Sequence, residues 1–279
     1  MIQESLAEAL ALLRDHPVLW IAGLIAGICT SGSLLLESLY GTFYAGKFAF
    51  LLVFIILFFV TAELAAIHTG EYSFGQYLKN GAAKYFRVLV PSLVITFIIL
   101  VLLHLLVTTL AAAGLMGQLA VIAFAALVIT VIILFLTFFY DTAAVFEDKR
   151  TFEAIRRSME LVTREAGKVL GFYIVSILIT AIIAFIGLMA WTSLLFDKLE
   201  PLTTMNVTEV SAMTPDTFVS LLGTDGIFLT AVVYFLIVFV SALILLPFKA
   251  CFYRKLASLA PVVQEVTGEY DSKGRWYKY

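Results

Sequence analysis

The chain has 279 residues, of which 62% are hydrophobic and 14% are charged, and its formal net charge is −2. Soluble domains contain about 45–50% apolar and about 25% charged residues, so this composition excludes an ordinary soluble enzyme. The near-neutral charge also argues against a nucleic-acid partner.

Apolar stretches long enough to cross a bilayer occur six times along the chain. A spanning helix needs about 20 mostly apolar residues. The candidate spans cover residues 17–40, 48–69, 88–114, 117–141, 168–193 and 226–250. The loops between them are too short for a soluble domain, so we predict one polytopic membrane domain over 1–256 and a tail over 257–279. The first span is expected to be a retained helix rather than a signal peptide, because Arg14 is the sole Lys or Arg before it.

A short amphipathic segment precedes each odd-numbered span, which produces a threefold internal repeat. The repeats cover about 5–70, 73–144 and 151–256. Ser5 with Glu8, and Ser73 with Gln76, fit capping boxes, and Thr151 is the expected cap of the third segment. The sequence therefore predicts an all-α membrane protein whose six transmembrane helices form three pseudo-repeats, each an amphipathic interfacial helix plus a transmembrane hairpin.

Basic residues are concentrated on one side of the predicted bundle. Sixteen of the eighteen Lys and Arg residues fall on the side of both termini, and the other side carries Lys47 and Lys198. Because cytoplasmic loops carry an excess of Lys and Arg, we predict a multi-pass protein of the cell membrane with cytoplasmic N- and C-termini. The longest outer loop, 194–225, contains the glycosylation sequon that begins at Asn206.

Three charged residues lie near the inner ends of the even-numbered spans. Glu63 and Asp141 each precede the cap of the next amphipathic segment by ten residues, and Lys249 lies close to the same depth in span six. We predict that they form a polar cluster at one end of the bundle. This cluster has three readings: structural ion pairing, an ion or substrate path, or solvation at the interface.

The amphipathic segments also supply candidate contacts for anionic lipid headgroups, because a basic residue near an anionic leaflet gains about 1 kcal/mol. These candidates are Lys79, Lys84, Arg87, Arg156, Arg157, Arg164 and Lys168. The alternative is that the segments are elbows that only set the tilt of the next span. His104 lies alone inside span three, where it either relays protons or hydrogen-bonds a neighbouring helix.

Motifs for catalysis, phosphate binding and metal binding are absent from the sequence. It contains neither G-x-S-x-G nor H-E-x-x-H, and its three histidines lack the i, i+4 spacing of a metal site. We therefore expect no catalytic, cofactor-binding or metal-binding residues.

The stretch from Asp141 to Ile183 carries a recurring pattern. A segment over 141–147 that begins with an aspartate is followed by Ala154-x-x-x-Ser158-x-x-Leu161 and by Gly171-Phe172-Tyr173. This pattern resembles the YciC-like integral membrane proteins and the membrane domain attached to some glycerophosphodiester phosphodiesterases. The segment 163–168 departs from the family pattern, since it lacks the usual aromatic residue. The hydrolase domain has no counterpart in this sequence, so the resemblance implies a membrane module linked to envelope lipids and no phosphodiesterase activity.

These observations favour a non-enzymatic membrane protein that handles lipids, with anionic lipids and a membrane or envelope protein as partners. The alternative is a channel or transporter with a polar path near the cytoplasmic ends of the even-numbered spans. A third reading, an intramembrane enzyme that acts on lipids, ranks last because the sequence offers no nucleophile–base set.

Overall fold

The protein is built mainly of helices. The computed structural model describes residues 1–114, 118–206, 208, 211–259, 268–270 and 276–278. The helices are α1 (Ile2–Asp15), a short 3-10 helix (Pro17–Leu19), α2 (Trp20–Tyr40), α3 (Thr42–Thr69), α4 (Phe74–Ala112), α5 (Leu119–Thr137), α6 (Tyr140–Phe146), α7 (Thr151–Arg164), α8 (Ala166–Leu194), α9 (Phe196–Thr204) and α10 (Pro215–Leu259). Two short strands, β1 (Gly268–Tyr270) and β2 (Trp276–Lys278), pair antiparallel near the C-terminus.

Within the described residues, six helical segments are long and apolar enough to cross a membrane, so this is a multi-pass membrane protein. The segments are Pro17–Tyr40, Gly46–Thr69, Phe74–Ala112, Ala120–Phe146, Ala166–Leu194 and Thr217–Leu259. Neighbouring spans pack in sequence order from α2 to α5, and α10 returns to pack on α1, α2 and α8. The number of spans agrees with the number predicted from the apolar runs.

The predicted amphipathic segments take two different forms. The first and third are separate helices, α1 and α7, whereas the second continues without a break into span three as the 39-residue helix α4. Gly70 ends α3 at φ 71°, a left-handed conformation that glycine adopts without steric cost. Ser73 then caps α4 as predicted, because its side chain accepts a hydrogen bond from the Gln76 N–H at 3.4 Å.

The predicted caps of the other two segments are wrong. The helix α1 already begins at Ile2, so Ser5 lies inside it and is buried. The helix α7 has Arg150 at its cap position, one residue before the predicted Thr151. The Arg150 N–H donates to Glu153 Oε2 at 3.1 Å, so an acid in the first turn satisfies this backbone group.

The hydrophobic core lies at the end of the bundle that carries α1 and α7. Most of its buried residues come from α1, the end of α3, the first half of α4, α6, α7, the start of α8 and the end of α10. Phe139, Phe172 and Phe252 pack there with ring centroids 4.5 to 6.0 Å apart. The far halves of α4 and α5 instead expose apolar side chains such as Phe97 and Phe124. Such surfaces suit contact with acyl chains, which are as apolar as these side chains.

Close packing between α2 and α10 depends on two glycines. A β-carbon at Gly23 would lie 3.0 Å from the backbone oxygen of Phe239, and one at Gly27 would lie 2.8 Å from the Phe235 ring. Small residues allow two spanning helices to approach closely.

Replacing Gly23 with alanine is expected to destabilise the protein by about 1–3 kcal/mol, because the backbone of α10 must shift. Gly32→Ala is the matched control on the same helix, since no atom lies within 4 Å of a β-carbon there. This control is expected to stabilise the protein by about 0.5–1 kcal/mol, because alanine has a higher helix propensity than glycine. The midpoint of thermal unfolding in mild detergent measures both changes. Equal midpoints for the two variants would contradict close packing at Gly23.

The predicted outer loop 194–225 contains α9 and the first turns of α10. The helix α10 is interrupted at Gly223, which has φ 65°. Lys198 Nζ donates to the carbonyl oxygen of Leu222 at 2.6 Å, next to this interruption. Asn206 of the predicted sequon is exposed, and Val207 lies outside the described residues.

Candidate functional site

An ion pair joins Asp141 on α6 to Lys249 on α10, two residues that lie 108 positions apart. Lys249 Nζ lies 2.7 Å from Asp141 Oδ2, and the side chains are 11% and 9% exposed, respectively. Asp141 Oδ1 also accepts hydrogen bonds from the N–H and the hydroxyl of Thr142. Lys249 Nζ lies 4.3 Å from the centre of the Phe138 ring. The structure therefore brings together two of the three residues of the predicted polar cluster.

A break in the fourth span positions Asp141. The helix α5 ends at Thr137 and α6 begins at Tyr140, so Asp141 lies in the first turn of α6, where a carboxylate is favoured by the helix dipole. Ser158 on α7 satisfies backbone groups at the break. Its Oγ accepts from the Phe139 N–H at 2.9 Å and donates to the Leu136 carbonyl oxygen at 2.9 Å. Such bridging is required because unpaired backbone groups are costly inside a membrane.

Glu63, the third member of the predicted cluster, forms neither a hydrogen bond nor a salt bridge with this ion pair among the described residues. It is fully buried near the end of α3, and within the described part of the chain neither carboxyl oxygen has a hydrogen-bond partner. The nearby Tyr77 hydroxyl donates to the Phe59 carbonyl oxygen at 3.0 Å instead. An unpaired buried acid destabilises a fold, so Glu63 does not act as a structural ion pair among the described residues.

A cavity of about 700 Å³ lies beside the ion pair, between α4, α5 and α8. We call it the lateral groove. Asp141 and Lys249 line one end, and the walls include Ile99, Val131 and Ile177. Pockets that bind small molecules measure about 300–1,000 Å³ and combine apolar walls with a few polar groups. The groove has both properties, and its walls come from membrane-spanning helices.

A second cavity of about 390 Å³ adjoins the lateral groove along α8. The two cavities share Phe138, Tyr173 and Ile177 in their linings. The second cavity is lined almost entirely by apolar surface and also contacts Leu245 on α10. Together they provide two adjacent apolar spaces that meet near the charged end of the groove.

Several of the predicted headgroup contacts form ion pairs among the described residues, and four of them are Arg157, Lys84, Arg87 and Lys168. Arg157 is 4% exposed, and its Nε lies 3.0 Å from Glu147 Oε2, so its guanidinium faces the interior. Lys84 pairs with Asp148, and Arg87 Nη1 lies 2.6 Å from the same carboxylate. The hydrogen bond from Lys84, helped by Arg87, holds the pKa of the Asp148 carboxyl below its usual range. 

The fourth of these residues is Lys168, whose Nζ lies 2.7 Å from Glu165 Oε2. Lys79, Arg156 and Arg164 are exposed on the same end of the bundle and remain candidates for headgroup contact. His104 is exposed on the far half of α4, away from the ion pair.

Sequence reasoning missed Glu147, which pairs with Arg157, and Asp148, which pairs with Lys84 and Arg87. Glu147 Oε1 also accepts a hydrogen bond from the Tyr253 hydroxyl at 2.7 Å, which ties α10 to the segment after α6. Asp148 has φ 57°, a conformation that aspartate tolerates better than most residues. The available signal was an acidic pair directly before Lys149 and Arg150.

Six candidate membrane spans among the described residues, and a lateral cavity with a charged pair at one end, define a multi-pass membrane protein with a candidate binding cavity. The chain belongs to a domain family of unknown function, DUF7847, whose sequence model matches residues 1–256. No curated protein and no solved structure matches the chain.

Proposed function

We propose that this protein is a non-enzymatic membrane protein that binds lipids and thereby handles or organises them in the envelope. The lateral groove carries the proposal, because it combines apolar walls on spanning helices with the Asp141–Lys249 ion pair at one end. A bilayer lipid has the same division between an apolar chain and a charged headgroup. The resemblance to YciC-like proteins and to the membrane domain of some phosphodiesterases supports the same class of ligand.

The proposal includes a cell-membrane location with both termini in the cytoplasm. Its support is the distribution of Lys and Arg, of which sixteen of eighteen fall on the side of the termini. Exposed Lys79, Arg156 and Arg164 then face an anionic leaflet, where basic side chains gain about 1 kcal/mol each. The proposal also includes a membrane or envelope protein as a binding partner of this chain.

We also propose that the fold consists of three pseudo-repeats. The separate helices α1 and α7 each have 14 residues and lead into a spanning helix. Glu63 and Asp141 precede Ser73 and Thr151 by the same ten residues. The continuous helix α4 is then a variant of this unit in which the amphipathic segment and the span have merged.

The lipid-binding proposal is tested by filling the groove. Ile99→Trp places a large ring on the groove wall and is expected to abolish retention of co-purified lipid. Leu100→Trp is the matched control, since Leu100 is adjacent in sequence, 60% exposed and absent from the groove lining. Native mass spectrometry of protein extracted in mild detergent measures the bound lipid. Equal retention by both variants would contradict a site in the groove.

A channel or transporter is the second candidate, and Glu63 is the observation that favours it. A fully buried carboxyl group without a partner among the described residues is costly, and ionisable groups within membranes often mark ion paths. Ion flux into liposomes tests this function. Flux that disappears in a Glu63→Ala, Asp141→Ala double variant whose thermal unfolding midpoint stays near that of the wild type would support a path through these residues, and unchanged flux would contradict it.

A further inference from the structure

We propose that the lateral groove binds one zwitterionic aminophospholipid, with its phosphate at Lys249 and its ammonium group at Asp141. This inference rests on the proposed lipid-binding function and specifies the headgroup class. It concerns the groove alone, and the exposed basic residues near α7 remain the proposed contacts for anionic lipids.

The charges at the end of the groove carry the headgroup assignment. Asp141 and Lys249 are the sole charged residues among the described groove lining, so the lining contributes one charge of each sign. Their side chains are 9% and 11% exposed, which means that they are screened weakly but remain reachable from the groove. A headgroup with one positive and one negative charge complements this pair without adding an uncompensated charge.

Both side chains have hydrogen-bonding capacity beyond their contact with each other. A lysine ammonium has three donors, and among the described contacts Lys249 uses one of them on Asp141. An ionised carboxylate offers about four acceptor sites, and Asp141 receives three hydrogen bonds, two from Thr142 and one from Lys249. The remaining donors of Lys249 suit phosphate oxygens, and the remaining acceptor site of Asp141 suits a primary ammonium.

The dimensions of the groove match one leaflet of a bilayer. Asp141 lies five residues before the end of its spanning segment, or about 8 Å along a helix at about 1.5 Å per residue. From Asp141 the lining continues to Val131, ten residues away, which corresponds to about 15 Å. The hydrocarbon core of a bilayer is about 30 Å thick, so this length is about half of it.

The adjoining cavity accommodates the second acyl chain. It shares Phe138, Tyr173 and Ile177 with the lateral groove, so two chains that diverge near the ion pair can lie on either side of these residues. A diacyl lipid therefore fits the pair of cavities better than a single-chain amphiphile does.

Two other common headgroups fit the ion pair less well. Phosphatidylglycerol brings a phosphate but no cation, so it would leave Asp141 facing an added negative charge. Phosphatidylcholine is zwitterionic, but its quaternary ammonium has no N–H group to donate to Asp141. Phosphatidylethanolamine satisfies both side chains.

The headgroup assignment is tested by mixing the purified protein with three lipids that differ in headgroup but share palmitoyl and oleoyl acyl chains. Phosphatidylethanolamine, phosphatidylglycerol and phosphatidylcholine are added in equal amounts, and native mass spectrometry counts each bound lipid. The wild type is expected to bind one phosphatidylethanolamine with about tenfold preference, equivalent to about 1.4 kcal/mol. The Asp141→Asn, Lys249→Met double variant removes both charges together and is expected to bind the three lipids equally. A thermal unfolding midpoint near that of the wild type shows that this variant is folded.

The outcomes separate the headgroup assignment from lipid binding itself. Equal binding of the three lipids by the wild type, with loss of all three in Ile99→Trp, would overturn the headgroup class but support the groove. A preference that survives in the double variant would also overturn the assignment to Asp141 and Lys249. Binding that Ile99→Trp leaves unchanged would overturn the proposed lipid function of the groove.

Discussion

Lys249→Met is expected to lower the free energy of unfolding by about 3–5 kcal/mol, because it leaves the nearly buried Asp141 carboxylate without its ionic partner. Methionine fills a similar volume, so lost packing contributes little. The two hydrogen bonds from Thr142 stay in place, but neither brings a positive charge. Equilibrium unfolding in detergent micelles, followed by circular dichroism, measures the change.

The Asp141→Asn, Lys249→Met double variant separates the ion pair from the site as a whole. Replacing both members of a buried pair is often close to neutral, so the double variant is expected to recover most of the lost stability. Lys79→Met removes a charge from an exposed position at the same end of the bundle and is expected to change stability by less than about 0.5 kcal/mol. If the double variant is as unstable as Lys249→Met, the two residues are not coupled.

Arg157→Met is also expected to lower the free energy of unfolding by about 3–5 kcal/mol, because Arg157 is 4% exposed and its partner Glu147 is also largely buried. Removal of the guanidinium leaves Glu147 with the Tyr253 hydroxyl, which cannot neutralise it. Since these three residues join α7, the segment after α6 and α10, the loss is expected to appear in global unfolding. The same unfolding measurement in detergent applies.

Two further variants define the role of Arg157. Arg157 Nε lies 3.0 Å from both oxygens of Glu147, and Arg157→Lys keeps the charge but not this forked contact, so its expected loss is smaller than that of Arg157→Met. Arg164→Met is the control on the same helix, because Arg164 is exposed, and its effect is expected to stay within about 0.5 kcal/mol. Equal stability of Arg157→Met and Arg164→Met would contradict an internal role for Arg157.

Two of the three residues of the predicted polar cluster contact each other and the third does not, and the reason is geometric. Asp141 and Lys249 were expected near one depth, and they form an ion pair because α6 and α10 direct both side chains to the same side. Glu63 has the same spacing from its cap but lies on α3, where it is buried without a partner among the described residues. Sequence spacing predicts the depth of a residue in the membrane, whereas the rotation of each helix decides which residue it contacts.

Helix rotation also decides which of the predicted headgroup contacts are exposed. Arg156 and Arg157 are adjacent and chemically identical, yet Arg157 is buried against Glu147 and Arg156 is exposed. Their positions on α7 differ by about 100° around the helix, so one faces the core and the other faces away. An amphipathic pattern marks the buried face of a helix by its apolar residues. An arginine on that face is unexpected, and its burial becomes understandable only once its acidic partner is known.

The number of spans, the mainly helical class and the concentration of basic residues at one end could be predicted from the amino-acid sequence. These properties depend on local composition, because each spanning helix must satisfy its own backbone and be apolar over the bilayer thickness. The partners of Asp141 and Arg157, the burial of Glu63 and the existence of the lateral groove could be seen only in the folded structure. These features bring together residues that are distant in sequence, and they depend on how the helices rotate, break and pack against one another.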